Sequence, residues 1–238
     1  MEHILKLQPK YLEYINKGTK RIINSDIIYI FNRVLFYRRK IMEEKRPILV
    51  ASNNKGKIKE IKDIFSNFNI ITLKEMETKL NKKLEVNEDA DSFKNNALQK
   101  VTELAKQLDE NIIVMGDDSG ISIDALDGFP GIHTQRWMDA DDHTKNLALL
   151  EKLKDVSADL RTCQYTTAIA IADKNISNVV EYSLDGKIAR EPIGTNGFGF
   201  DEIFKLDNGK TLAELTSEEK YAISPRKKAL EEIKKFFV

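Results

Sequence analysis

The 238-residue sequence predicts an α/β fold with a mixed central sheet flanked by helices, and three features carry that expectation. Short apolar runs alternate with helix-period stretches from Pro47 to Lys154, the signature of parallel strands joined by helical crossovers. Two longer strand-like segments then meet at a polar turn, which predicts an antiparallel hairpin. Two helical stretches close the chain, so neither an all-β nor an all-helical class accommodates the pattern.

The elements follow in order. "PILVAS" suits a buried strand, and "KGKIKEIKDIF" sets Ile58, Ile61, Ile64 and Phe65 at helical spacing. "NIITL" predicts a second strand. "DSFKNNALQKVTELAKQL" repeats Phe93, Ala97, Leu98, Val101, Leu104, Ala105 and Leu108 on one helical face, with Asp91 or Ser92 as its cap. "NIIVMG" is a strand running into Asp117 and Asp118, and alternation resumes over "SGISIDAL". "DDHTKNLALLEKLK" predicts a helix with Leu147, Leu150 and Leu153 on one side. "CQYTTAIAIAD" and "NVVEYSLDGKIA" form the hairpin around "KNIS". "SEEKYAI" and "SPRKKALEEIKKFF" are a short and a longer helix divided around Pro225.

Apolar residues make up 41% of the chain and charged residues 32%, ordinary values for a soluble protein. Lysines and arginines number 38 and acids 38, so overall charge points to no nucleic-acid or membrane partner. The balance hides an asymmetry: residues 1–46 hold eleven basic and five acidic groups, a net of +6 against −6 for the rest. A charge-rich stretch ending at Pro47 marks the boundary, giving a basic extension, 1–46, and a main domain, 47–238. Nucleic-acid binding is expected only through the extension. Runs such as "IIVM" and "AIAIA" fall far short of the roughly 20 apolar residues a membrane helix needs. A lone cysteine, Cys163, and no leader pattern at the start predict a cytoplasmic protein without an internal disulfide.

Several stretches could carry chemistry. "SNNKGK", Ser52 to Lys57, sits between a strand and a helix, where amides, hydroxyl and ammonium can hold phosphate oxygens; a solvated turn is the alternative. Adjacent carboxylates in "GDDSG" repel unless a cation, solvent or donors offset them. Mg²⁺ would do so, and an Asx-type turn with Ser119 and Gly120 is the other reading. Glu88 lies just before a helix, where an acid is favourable in any case. "NGFGFDEIF" offers a ring on which a base can stack, or a plain turn. His3, His133 and His143 show no metal-ligand or triad spacing, and Cys163 reads as a small core residue.

Four blocks in sequence order resemble the inosine triphosphate pyrophosphatase family, over Ile48 to about Leu230. "ASNNKGKIKEI" is similar to its Ser/Thr-x-Asn-x-x-Lys block and "EDADSFKNNALQKV" to one of its helices. "GDDSGISIDALDGFPGIHTQRW" resembles its Asp-Asp-Ser-Gly block, and "GTNGFGFDEIF" with "TLAELTSEEKYAISPRKKAL" its closing blocks. The resemblance implies two lobes with the active site in the cleft between them, a homodimer, and Mg²⁺-dependent cleavage of ITP, dITP and XTP to monophosphate and pyrophosphate. It further implies that Ser52, Asn54 and Lys57 bind the triphosphate and that Glu88 and Asp118 hold the metal. Asp118 would double as general base, with Ser119 contacting substrate. Phe198, Gly199, Phe200 and Asp201 would form the nucleoside pocket, Lys220 and Arg226 completing the phosphate and base contacts.

The chain departs from the family at Pro225, where the family's Ser-His-Arg has histidine. That change predicts weakened activity or selectivity and leaves a nucleotide-binding protein without catalysis as a second reading. His133 and Gly116 replace a usual tyrosine and alanine. The extension faintly resembles the opening of an ASCH domain, associated with RNA, although too short for a complete one; a fusion remnant or a helical appendage is the alternative.

Overall fold

The computed structural model describes residues 46–237 other than Glu88 and Glu110. The expectations for residues 1–45 and for Glu88 lie outside the described residues.

Six strands form one mixed sheet in the order β2-β1-β3-β4-β5-β6. β1 (Ile48–Val50) pairs in parallel with β2 (Ile70–Thr72) and β3 (Ile113–Ile123). β4 (Thr162–Ala172), β5 (Ser177–Ile188) and β6 (Phe204–Lys205) continue antiparallel to their neighbours. The parallel part comes from the alternating half of the sequence and the antiparallel part from the hairpin around "KNIS".

α1 (Lys55–Ile64) opens immediately after β1, with Asn54 capping the Lys57 amide. A second helix, α2 (Leu73–Leu80), is an element the apolar periodicity did not announce. Its signal was local: Thr72 and Glu75 form a reciprocal capping box. α3 (Phe93–Gln107) is capped by Ser92 and buries Phe93, Ala97, Val101, Leu104 and Ala105. These side chains pack with Leu49, Val114, Ala168, Ala170 and Ala172 on one face of the sheet. α4 (Asp142–Lys152) differs from its expected face: Leu147 is 46% exposed, while Leu149, Leu150 and Leu153 are buried. Asn146 takes the inward position instead, held by polar partners described below. α5 (Ser217–Ile223) and α6 (Pro225–Lys234) divide at Pro225 as expected, and α6 lies against β4 and β5.

β3 is the main departure from the sequence reading. "GDDSG" is neither a turn nor a strand end, because the strand runs through it without a break. Asp117, Asp118 and Ser119 pair with Ile169, Ala168 and Thr167, so the eleven-residue β4 supplies a template along the whole of β3. Arg46 also belongs to this fold: it is 6% exposed and ion-paired to Asp173 at 2.7 Å.

Candidate active site

β1 is short and β3 long, and that mismatch creates the site. Their pairing ends where the Ala51 amide donates to the Met115 carbonyl at 2.8 Å. Two residues further on, the Asp117 carbonyl has no β1 residue opposite it and instead accepts from Lys100 Nζ at 2.9 Å. The Ser52–Lys57 turn thus leaves the C-terminal end of the parallel strands beside Asp117 and Asp118, where open α/β sheets place ligands. Within the turn, Ser52 Oγ accepts from the Asn54 amide at 3.2 Å and Asn54 Oδ1 from the Lys57 amide at 3.1 Å. The first turn of α1 carries no acid, leaving its positive end available to an anion.

Adjacent strand residues point to opposite faces, and this separates the two aspartates. Asp117 faces α1 and α6. It is 1% exposed, pairs with Lys57 Nζ at 2.8 Å and with the Arg226 guanidinium, and accepts from Ser119 Oγ at 3.0 Å. Arg226 is itself buried, meets Glu60 at 2.8 Å through Nε and donates to the Tyr165 hydroxyl at 3.3 Å. Burial alone would raise the Asp117 carboxyl; the Lys57 and Arg226 charges overcome it and hold the group well below the ordinary carboxylate range. Burial pulls the Lys57 ammonium below its usual range, opposed by Asp117 and reinforced by Arg226. For Arg226 burial is again the largest influence, and Asp117 outweighs it, so the guanidinium stays charged.

Asp118 faces α3. It is 8% exposed, its Oδ2 accepts from Asn96 Nδ2 at 3.0 Å, and its Oδ1 lies 3.1 Å from the Ser119 amide. Among the described residues no cluster of three His, Cys, Asp or Glu side chains could enclose a metal. The Asp118 carboxylate is a hard oxygen donor of the kind a divalent cation takes as ligand.

The third part is the loop from Gly194 to Asp201. Asp201 is 5% exposed, accepts from the Phe198 amide at 2.8 Å and pairs with Lys220, whose ammonium sits 4.8 Å from the Phe198 ring centroid. Burial raises the Asp201 carboxyl, with Lys220 opposing. The same ring lies against Gly56: a Cβ built there would come within 2.8 Å of it, so a larger residue would push the ring away from the Ser52–Lys57 turn. From behind, Asp142 accepts from the Gly199 amide at 2.8 Å and Asn146 donates to the Gly199 carbonyl at 2.8 Å. A cavity of about 170 Å³ opens between this loop and the start of α4. Phe200 is half-buried and packs against the core cluster that contains Phe204 and Leu212.

The site residues expected from sequence therefore fall into three groups: Lys57, Ser119 and Arg226 around Asp117; Asp118 across the strand; and Phe198, Gly199 and Asp201 on the loop that meets Gly56, with Lys220 of α5 paired to Asp201. Ser52 and Asn54 shape the turn between them. Asn96, Glu60, Lys100 and Tyr165 went unnoticed in the sequence. Asn96 left a signal, a polar side chain beside the apolar face of α3, fully buried in the fold. Cys163 is a core residue as expected, its thiol pushed up to about 12 by burial first and then by Asp124 and Asp185.

A dITP/XTP pyrophosphatase of Clostridium perfringens is 39% identical over 197 residues, covering 79% of this chain and 96% of that protein. One from Bacillus subtilis is 37% identical over 196 residues, covering 80% and 96%. The solved Staphylococcus aureus Ham1 protein superposes with a TM-score of 0.70 at 33% identity, over 80% of this chain and 97% of that one. Residues 48–236 match the model of the Ham1 family, and this chain belongs to that family.

Proposed function

We propose that this protein hydrolyses the triphosphates of non-standard 6-keto purine nucleosides, ITP, dITP and XTP, to the monophosphate and pyrophosphate, and so cleanses the nucleotide pool. The observation that carries the reading is the contact of Gly56 with Phe198, which joins an anion-binding helix start to an aromatic platform beside two buried aspartates. The names of relatives at 37–39% identity, dITP/XTP pyrophosphatase, support dITP and XTP as substrates.

Within that reading each group is assigned a role. The α1 amides and the Lys57 ammonium bind phosphate oxygens, and Lys57 stabilises charge on the departing pyrophosphate. Asp117 holds Lys57 charged and in place. Glu88 and Asp118 would hold Mg²⁺, which supplies neutralisation of triphosphate charge. Asp118 also orients the attacking water and accepts its proton as the α–β anhydride bond breaks. Phe198 stacks on the base, and Arg226 donates to the keto oxygen, which an adenine amino group could not accept. The chain is read as a cytoplasmic homodimer, its lone thiol suiting a reducing compartment.

Steady-state kinetics on ITP, dITP, XTP, GTP and ATP with Mg²⁺, with product identification, test the reading. Preference for the first three with pyrophosphate as product is expected; equal turnover of ATP, or release of orthophosphate, sinks it. Asp118→Asn should abolish turnover while melting within about 3 °C of wild type, a change of no more than roughly 1 kcal/mol. Near-full activity in that variant removes Asp118 from the mechanism.

A further inference from the structure

Asn96 is wholly buried, and an amide shut away from water is tolerated only when its donor and acceptor are both matched. Its Oδ1 accepts from the Ala90 amide at 2.9 Å and its Nδ2 donates to Asp118 Oδ2 at 3.0 Å. The orientation is forced, since a backbone N–H only donates and leaves the amide nitrogen for the carboxylate. One side chain in the first turn of α3 thereby ties two separate pieces of the chain together. One is the segment entering α3, two residues beyond Glu88 in sequence; the other is the middle of β3. Aspartate at this position would set a carboxylate against Asp118, and an aliphatic residue would strand the Ala90 amide.

We infer that Asn96 is a positioning residue for the divalent-cation site. It fixes the Asp118 carboxylate to the segment entering α3 through the Ala90 amide, and so holds that carboxylate oriented for a cation. The inference rests on the proposed role of Asp118 and deepens it. Groups that orient metal ligands typically change metal affinity or activity by about 10–100-fold when removed.

The test is Mn²⁺ titration followed by electron paramagnetic resonance on the full-length wild type, Asp118→Asn and Asn96→Ala. Asn96→Ala should bind Mn²⁺ about 10–100-fold more weakly. Its half-saturating Mg²⁺ concentration should rise in parallel while the nucleotide KM at saturating Mg²⁺ stays unchanged, a split that a general loss of structure would not give. Should Asn96→Ala fail to fold, the wild type serves alone: the Asn96 side-chain amide signals in the nitrogen–proton NMR spectrum should broaden on adding Mn²⁺. Mn²⁺ affinity within twofold of wild type in a folded Asn96→Ala, with Asp118→Asn impaired, overturns the inference, as do amide signals that Mn²⁺ leaves sharp. Mn²⁺ binding that Asp118→Asn leaves intact overturns the assignment of Asp118 itself, and this inference falls with it.

Discussion

Asp117 is the residue whose role the sequence left unassigned, and its surroundings define one. It is the shared counter-charge of two buried cations, Lys57 from the start of α1 and Arg226 from α6. Removing one partner of a buried ionic cluster is far costlier than the worth of the cluster itself. Asp117→Asn should therefore lose about 3 kcal/mol of stability, as Lys57 loses its carboxylate and Arg226 beside it keeps only Glu60. The pH dependence has a definite sign. The folded-state carboxyl is depressed, so its contribution is fully present above the unfolded value of about 4 and is lost as the pH falls towards the folded one. In chemical denaturation the gap between wild type and Asp117→Asn should narrow below about pH 4. A gap that stays constant down to pH 2 removes the ionic explanation.

At the scale of elements, Pro225 tests how far a single departure from the family disturbs the site. It occupies the first turn of α6, where its missing N–H is one that no helical bond requires, and Ser224 still caps the Lys227 amide at 3.2 Å. Pro225→His loses the preset backbone angle and should cost about 0.4–1 kcal/mol, or roughly 1–4 °C in melting temperature. ITP turnover should already be present in the wild type. Turnover that appears only in Pro225→His would support the reading as a nucleotide-binding protein without catalysis.

Elements whose periodicity reports their own burial were legible: α1, α3, β1 and the β4–β5 hairpin fall where the apolar pattern puts them. β3 was not, because two charges and a Ser-Gly pair mimic a turn, and only pairing with β4, some fifty residues away in sequence, keeps the chain extended. α2 was hidden because its eight residues bury only Met76. The candidate site's neighbours were legible where side chains sit in short blocks, as in Ser52–Lys57 and Phe198–Asp201, which the fold brings together at Gly56 and Phe198. Asp117 with Arg226, or Asn96 with Asp118, are contacts between distant elements, and no local spacing encodes them.

For the whole molecule the question is where the folded domain begins. Charge and proline placed the boundary after Arg46, yet Arg46 is buried. Its Nη1 pairs with Asp173 at 2.7 Å and its Nη2 donates to the Ile112 carbonyl at 3.3 Å. Asp173 in turn accepts from the Asn175 and Ile176 amides at 2.7 and 3.0 Å, so one carboxylate shapes the β4–β5 turn and anchors the chain ahead of β1. A buried carboxylate deprived of its cation costs about 3–5 kcal/mol. For a protein of this size that is roughly 6–20 °C in melting temperature. Arg46→Ala in the full-length chain should show that loss. A chain starting at Arg46 with its side chain intact should melt within a few degrees of full length and keep its kcat/KM for ITP. Equal melting of wild type and Arg46→Ala would return Arg46 to the extension. Loss of ITP turnover on removing residues 1–45, with melting unchanged, would instead give the basic extension a part in catalysis that the 48–236 family match does not require.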